Sequence, residues 1–141
     1  YRRMAEECID YVVDRFGMSD KVHRTYTPTD RLPLIGAHGY SDMLYMRLIQ
    51  DFGFESDVAR HLAAAYGDRA LGVALIADRA GRHRWPVSGR RLVPWYPYTE
   101  AEVRWACRHE YAVTVADILA RRTRLAFHNC RAAEDAVDRV A

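Results

Sequence analysis

The chain has 141 residues, half of them hydrophobic and 28% charged, enough for one domain around a single buried core and unlike a disordered or fibrous chain. Its net charge of +2 is too small to argue for nucleic acid or an anionic membrane as a partner. Three cysteines far apart, Cys8, Cys107 and Cys130, exclude a disulfide framework and read as reduced, partly buried thiols.

The longest apolar run, around Leu71 to Ala77, is too short to span a bilayer, and the start carries no signal or transit pattern. The chain opens at Tyr1 directly into a helical pattern, so it is expected to be a piece of a longer protein. Arginine supplies all the basic charge except Lys21, which makes arginine placement more informative than arginine number.

From Arg3 to Arg15 the apolar residues Met4, Cys8, Tyr11, Val12 and Phe16 recur at spacings of three and four, and Gly17 follows as a stop. That is one amphipathic helix. Residues 19–39 hold Pro28, Pro33, Gly36 and Gly39 with no periodicity and read as a long connection. Ser41 is then expected to cap a helix running to about Asp51, with Leu44, Leu48, Ile49 and Phe52 on one face and Gly53 at its end. Ser56 is expected to cap a third helix that stops at Gly67, and Asp68 a fourth across Ala70, Val73, Ala74 and Ala77.

Between residues 79 and 98, Pro86, Pro94 and Pro97 forbid a continuous helix. The aromatics there, Trp85, Trp95, Tyr96 and Tyr98, are expected to dock this second long connection onto the helices. Thr99 opens TEAEV, a capping box in which Thr99 accepts from the Glu102 amide and Glu102 reaches back to the Thr99 amide. Thr114 and Asp117 start the next helix in similar fashion, to about residue 123. A last helix spans about Cys130 to Val140, with Ala133, Ala136, Val137 and Val140 on its face. The expected class is all-α, a bundle of about six to seven helices.

The six histidines, His23, His38, His61, His83, His109 and His128, lack metal-ligand spacing, and His109-Glu110 has no second histidine to complete HExxH. Each reads as a surface or loop residue. No P-loop, nucleophile elbow or Gly-x-Gly-x-x-Gly turn occurs, and no serine has an evident base, so catalytic, cofactor-binding and metal residues are all expected to be absent from this chain.

The arginines of the 110–127 stretch sharpen a different reading. The helices at 99–110 and 114–123 have the spacing of a helix-turn-helix, but Val115, Ala116 and Ile118 stand where base-reading residues belong, which disfavours nucleic acid. Structural ion pairs are expected instead among Glu102, Glu110, Asp117, Arg121, Arg122 and Arg124. With Val115, Ile118 and Leu119 facing inward, helical arithmetic points Arg122 inward too, toward Glu102 or Glu110, where breaking a buried pair costs about 3–5 kcal/mol. Arg121 reaches Asp117 at i,i+4 on the exposed side for under about 1 kcal/mol, and Arg124 sits at the helix end near its negative dipole terminus.

Four stretches taken together carry a family likeness: YRRMAEECID at 1–10, LPLIGAHG at 32–39, HLAAAYGDRA at 61–70 and YPYTEAEVRWACRHEYAVTVADILARRTRLAF at 96–127. In that order, over nearly the whole chain, they resemble the C-terminal domain of the FAD-dependent glycerol-3-phosphate dehydrogenases and the related α-glycerophosphate oxidases. The resemblance implies an enzyme that oxidises sn-glycerol 3-phosphate to dihydroxyacetone phosphate with bound FAD. Electrons would pass to membrane quinone, or to oxygen in the oxidases.

It also implies that the flavin fold and most substrate-binding residues belong to a larger N-terminal FAD-binding domain absent from residues 1–141. Those residues would form a single helical cap that packs on it, without FAD or turnover of its own. In the intact enzyme the first helix would aim its positive end toward the flavin. The parent would be peripheral on the mitochondrial inner membrane or the bacterial cytoplasmic membrane, and the cap could contribute to a homo-oligomer. Some mitochondrial members carry EF-hands after this domain; no D-x-D-x-D-G loop precedes Ala141, so calcium regulation does not follow. An independent helical interaction module and a helix-turn-helix nucleic-acid binder stay open as alternatives.

Overall fold

The first helix, α1 (Arg2–Arg15), buries only Val13, while Met4, Ile9, Tyr11 and Phe16 remain exposed. It belongs to a small unit, residues 1–35, in which the Arg2 guanidinium donates to the Thr29 carbonyl. Within this unit Tyr1, Ala5 and Ile9 of the helix and Leu32, Pro33, Leu34 and Ile35 line an apolar groove of about 490 Å³. The computed structural model describes residues 1–18, 20, 29, 31–80, 85, 86 and 89–141, with the side chains of 78–80 left aside. Lys21, His23, Pro28 and His83, and with them parts of both long connections, lie outside the described residues.

The second unit, residues 36–141, holds the remaining helices. They are α2 (Leu44–Phe52), α3 (Ser56–Tyr66), α4 (Ala70–Ala80), α5 (Glu100–His109), α6 (Leu125–His128) and α7 (Cys130–Val140). A 3₁₀ turn, Gly67–Arg69, joins α3 to α4, and a π-helical segment, Asp117–Arg122, precedes α6. An isolated bridge between Arg91 and Thr99 is the β pairing among the described residues, so the class is all-α as the periodicity predicts.

Three helix starts differ from the expected caps. α2 begins at Leu44 behind a turn in which the Leu44 amide donates to the Ser41 carbonyl at 3.0 Å, so Ser41 closes the turn and Met43 takes the cap position. The extended residue before α3 is Glu55, which leaves Ser56 inside the helix. Asp68 caps nothing. It sits in the 3₁₀ turn, and its carboxylate accepts the Gly39 amide at 2.9 Å. Gly53, in contrast, ends α2 in the left-handed conformation at φ 72°, and the Thr99–Glu102 capping box starts α5 with both reciprocal bonds.

The core of this unit has two parts that share one wall. Leu44 and Leu48 of α2, Val58 and Leu62 of α3, and Val73 and Ala74 of α4 pack against Ala101 and Trp105 of α5. Leu92, Val93, Ile118, Leu119, Leu125, Ala133 and Ala136 pack against Val103 and Ala106. Gly72 lets α4 approach α5 closely, for a Cβ there would stand 2.7 Å from the Trp105 ring. At about 100° per residue, Glu102 falls between the Ala101/Trp105 stripe and the Ala106/Val103 stripe. A carboxylate therefore sits in the seam of the core, 3% exposed.

The second connection docks through two of the four expected aromatics, Tyr96 and Tyr98, which pack against the core. Leu92 and Val93 are buried, and the rings of Tyr96 and Tyr98 stack with centroids 6.0 Å apart. Trp85 and Trp95 stay outside, 67% and 89% exposed. The three thiols are exposed rather than partly buried.

Candidate functional site

Both oxygens of Glu102 are saturated. Oε1 accepts the Thr99 amide at 2.9 Å and the Thr99 hydroxyl at 3.1 Å. Oε2 lies 2.9 Å from His61 Nε2 and accepts the Tyr66 hydroxyl at 3.4 Å. Since a carboxylate only accepts, Nε2 of His61 carries the proton in this contact. The His61 ring also stands edge-on to Tyr98 at 5.0 Å, and Tyr66 edge-on to Trp105 at 6.3 Å.

Burial, then the negative charges of Glu102 and Glu110, push the Tyr66 phenol well above its ordinary value, so it stays a donor. Tyr98 is raised by burial and by Glu102 in the same way. Four donors for the four lone-pair sites of one carboxylate make a structural hub that ties α3, α5 and the capping box together, with no acceptor capacity left for a substrate.

The arginines fall elsewhere. Over Asp117–Arg122 the backbone winds with i→i−5 bonds, as in the 2.9 Å contact from the Thr123 amide to the Ile118 carbonyl. The wider turn shifts every following side chain. Thr123, not Arg122, occupies the inward position, and its hydroxyl donates to the Ile118 carbonyl at 3.0 Å.

Arg122 lies at the surface, its Nε 3.2 Å from Glu110 Oε2, with side chains 32% and 30% exposed, and it also donates to the Glu110 carbonyl. Exposure of that degree puts the pair nearer the surface range of about 0–1 kcal/mol than the buried range. Glu102 is not its partner. Arg124 adopts φ 58° just before α6 and makes no ion pair among the described residues.

Arg121 contacts Asp117, as i,i+4 spacing suggests. The Asp117 carboxylate also accepts the amides of Thr114 and Val113, at 2.9 and 3.1 Å, and the Thr114 hydroxyl. Those bonds, the Thr114 amide first, hold its carboxyl well below the ordinary value of 3.8. The box closes the start of the segment that a helix-turn-helix would offer to bases, and the following turn is π-wound.

Sequence reasoning missed a second cluster. The Arg91 guanidinium forks onto both oxygens of Asp57 at 2.8 Å, donates to the Tyr96 carbonyl at 3.1 Å and also contacts Glu55. Asp57 is held below 3.8 chiefly by that bond, and Arg91 is raised chiefly by Asp57. This pins the 90–98 stretch to the start of α3.

An acid whose folded value is depressed stabilises the fold above its unfolded value and loses that stability as pH falls toward the folded one. The urea midpoint is therefore expected to be nearly flat between about pH 7 and 5 and to drop below about pH 4. Asp117→Asn should show a smaller drop. A wild-type midpoint that holds or rises on acidification contradicts this reading.

No group of three or more potential metal ligands occurs among the described residues, and no described helix is long and apolar enough to cross a membrane.

The sequence model of a family described as the C-terminal domain of alpha-glycerophosphate oxidase matches residues 27–141. A Caenorhabditis elegans protein named probable mitochondrial glycerol-3-phosphate dehydrogenase is 49% identical over 135 residues, covering 96% of this chain and 18% of its own length. The mitochondrial glycerol-3-phosphate dehydrogenase of Homo sapiens is 48% identical over 140 residues, with 99% and 18% covered. A probable one from Dictyostelium discoideum is 41% identical over 144 residues, with 99% and 20% covered. The chain thus spans about a fifth of the length of these curated relatives. No solved structure matches it significantly.

Proposed function

Since the chain belongs to the family of alpha-glycerophosphate oxidase C-terminal domains, we propose that it is the helical C-terminal part of a flavoenzyme oxidising sn-glycerol 3-phosphate to dihydroxyacetone phosphate. The observation that carries this is the pairing of coverage values. Relatives named as mitochondrial glycerol-3-phosphate dehydrogenases align with 96–99% of this chain, while the chain accounts for 18% of their length.

The residues here do not fit a flavin site. A dinucleotide cradle needs a strand, a glycine-rich turn and a helix N-terminus in sequence, and the described residues form no strand. Both oxygens of the buried carboxylate are already saturated. FAD and the redox step therefore belong to an N-terminal FAD-binding domain of the parent, with quinone as acceptor at a mitochondrial membrane surface. This chain supplies a helical part that packs on that domain. The exposed apolar groove of residues 1–35 supports such packing, since Val13 is the one buried residue among the described residues of this unit.

The test compares the 141-residue chain with the full-length parent. The chain alone should show no flavin absorbance and no glycerol 3-phosphate:quinone reductase activity, and the parent should show both. Flavin or turnover in the chain alone refutes the non-catalytic role. Their absence from the parent refutes the enzyme assignment.

A further inference from the structure

We infer that Tyr111 and Val113 form a pre-organised docking point for an apolar recess on the N-terminal FAD-binding part of the parent. The inference rests on reading the chain as the C-terminal part of that larger protein. It starts from a misfit between residue and backbone. Tyr111 follows the cap residue of α5 in the left-handed region, at φ 56°. Glycine is the usual residue after such a cap, because a Cβ crowds the following carbonyl there. Nothing within the chain offsets the strain, for Tyr111 is 94% exposed and makes no hydrogen bond or ring contact among the described residues.

The conformation persists because the backbone on both sides is held. The amides of Glu110 and Ala112 both donate to the Ala106 carbonyl, at 2.9 and 3.2 Å. Arg122 clasps Glu110 through its carboxylate and its carbonyl. On the other side the Asp117 carboxylate accepts the amides of Val113 and Thr114. Ala112 turns into the core, so its neighbours turn out, and Val113 is 88% exposed. A strained residue that its surroundings over-determine marks a functional position.

The charges that anchor this corner cancel in pairs, Glu110 with Arg122 and Asp117 with Arg121. What it presents is an aromatic ring with a polar tip beside a branched aliphatic side chain. Such a pair fits an apolar recess on a protein surface, whereas the phosphates of nucleic acid or anionic lipid call for unpaired cations. The chain spans about a fifth of the length of its curated relatives, so the rest of the parent lies on the same polypeptide. Tethering gives that part an effective concentration that a second copy does not match.

The test uses the full-length parent. A photoreactive benzophenone side chain in place of Tyr111 should cross-link to a peptide of the same chain that precedes Tyr1. Cross-links between mixed light and heavy isotope copies, cross-links to added phospholipid vesicles, or none at all overturn the proposal. In the unmodified parent, hydroxyl radicals should label Tyr111 several-fold more slowly in the folded protein than in urea. Equal labelling overturns it as well.

Tyr111→Gly separates docking from local stability, because the two effects have opposite signs. Glycine relieves the left-handed strain, so a ring without an outside partner would give an unchanged or raised thermal midpoint. Lost docking should instead lower the midpoint of the parent by about 2 °C or more, while Tyr111→Phe, which keeps the ring, stays near wild type. An unchanged or raised midpoint in Tyr111→Gly overturns the proposal. Flavin absorbance is recorded alongside. A parent without flavin refutes the enzyme assignment and leaves the docking result standing, and a flavin-loaded parent without the intrachain cross-link refutes the docking alone.

Discussion

Replacing Glu102 with alanine is expected to destabilise the 36–141 unit by about 3–5 kcal/mol. The loss comes less from one contact than from what is left behind. Thr99 loses the acceptor for its amide and hydroxyl, and His61 and Tyr66 lose theirs, all at the seam between the two halves of the core. Glu102→Gln should cost far less, about 1–2 kcal/mol, because its amide oxygen still serves the capping box while its NH₂ can donate to a neutral His61. Urea titration at constant m value measures both. Equal losses for the two variants, or less than about 1 kcal/mol for alanine, would show that the hub is ornamental.

Gly67→Ala is the second large effect. Gly67 ends α3 at φ 58° and ψ −137°, and a Cβ there would stand 2.0 Å from the Gly36 carbonyl oxygen and 2.8 Å from its carbon. The obstacle is backbone that cannot rotate away. It also carries a bond, since the Asp68 amide donates to that same Gly36 oxygen at 2.8 Å. Relief of the clash therefore loosens the 36–39 clip from the α3–α4 corner, including the Gly39 amide on Asp68.

A loss of about 3 kcal/mol or more is expected. Gly17→Ala provides the contrast, with nearly the same φ of 61° but nothing within 4 Å of the new Cβ. It should show only the intrinsic left-handed cost of about 1–2 kcal/mol. Similar losses at the two sites would remove the steric argument.

How much of this was legible depended on whether a residue's role was local. The Thr99 box reads directly because both partners lie three residues apart and their geometry follows from helix winding alone. Gly53 reads for the same reason. Ser41 and Ser56 miss the cap positions because the chain enters α2 through an extra turn and α3 through an extended Glu55, choices made by tertiary packing. Arg122 was misplaced because a period of 3.6 does not hold through a π turn, and composition carries no mark of that change.

Of the two candidate partners for Arg122 it is Glu110 that makes the contact, and a helical wheel places Glu102 between two apolar stripes, the one signal that it is interior. His61, one turn after Val58 on α3, carries the matching signal. The Arg91 fork on Asp57 joins residues 34 apart, and no periodicity encodes that distance.

The position of α5 has a consequence for how the helical unit comes apart. Its opposite stripes close both halves of the core, so neither half retains a wall once this helix leaves. Partial opening that frees one half also exposes the apolar side of the other, which removes the intermediate that two separate cores would allow. The 36–141 unit is accordingly expected to unfold in one cooperative step, with the α5 amides the slowest to exchange.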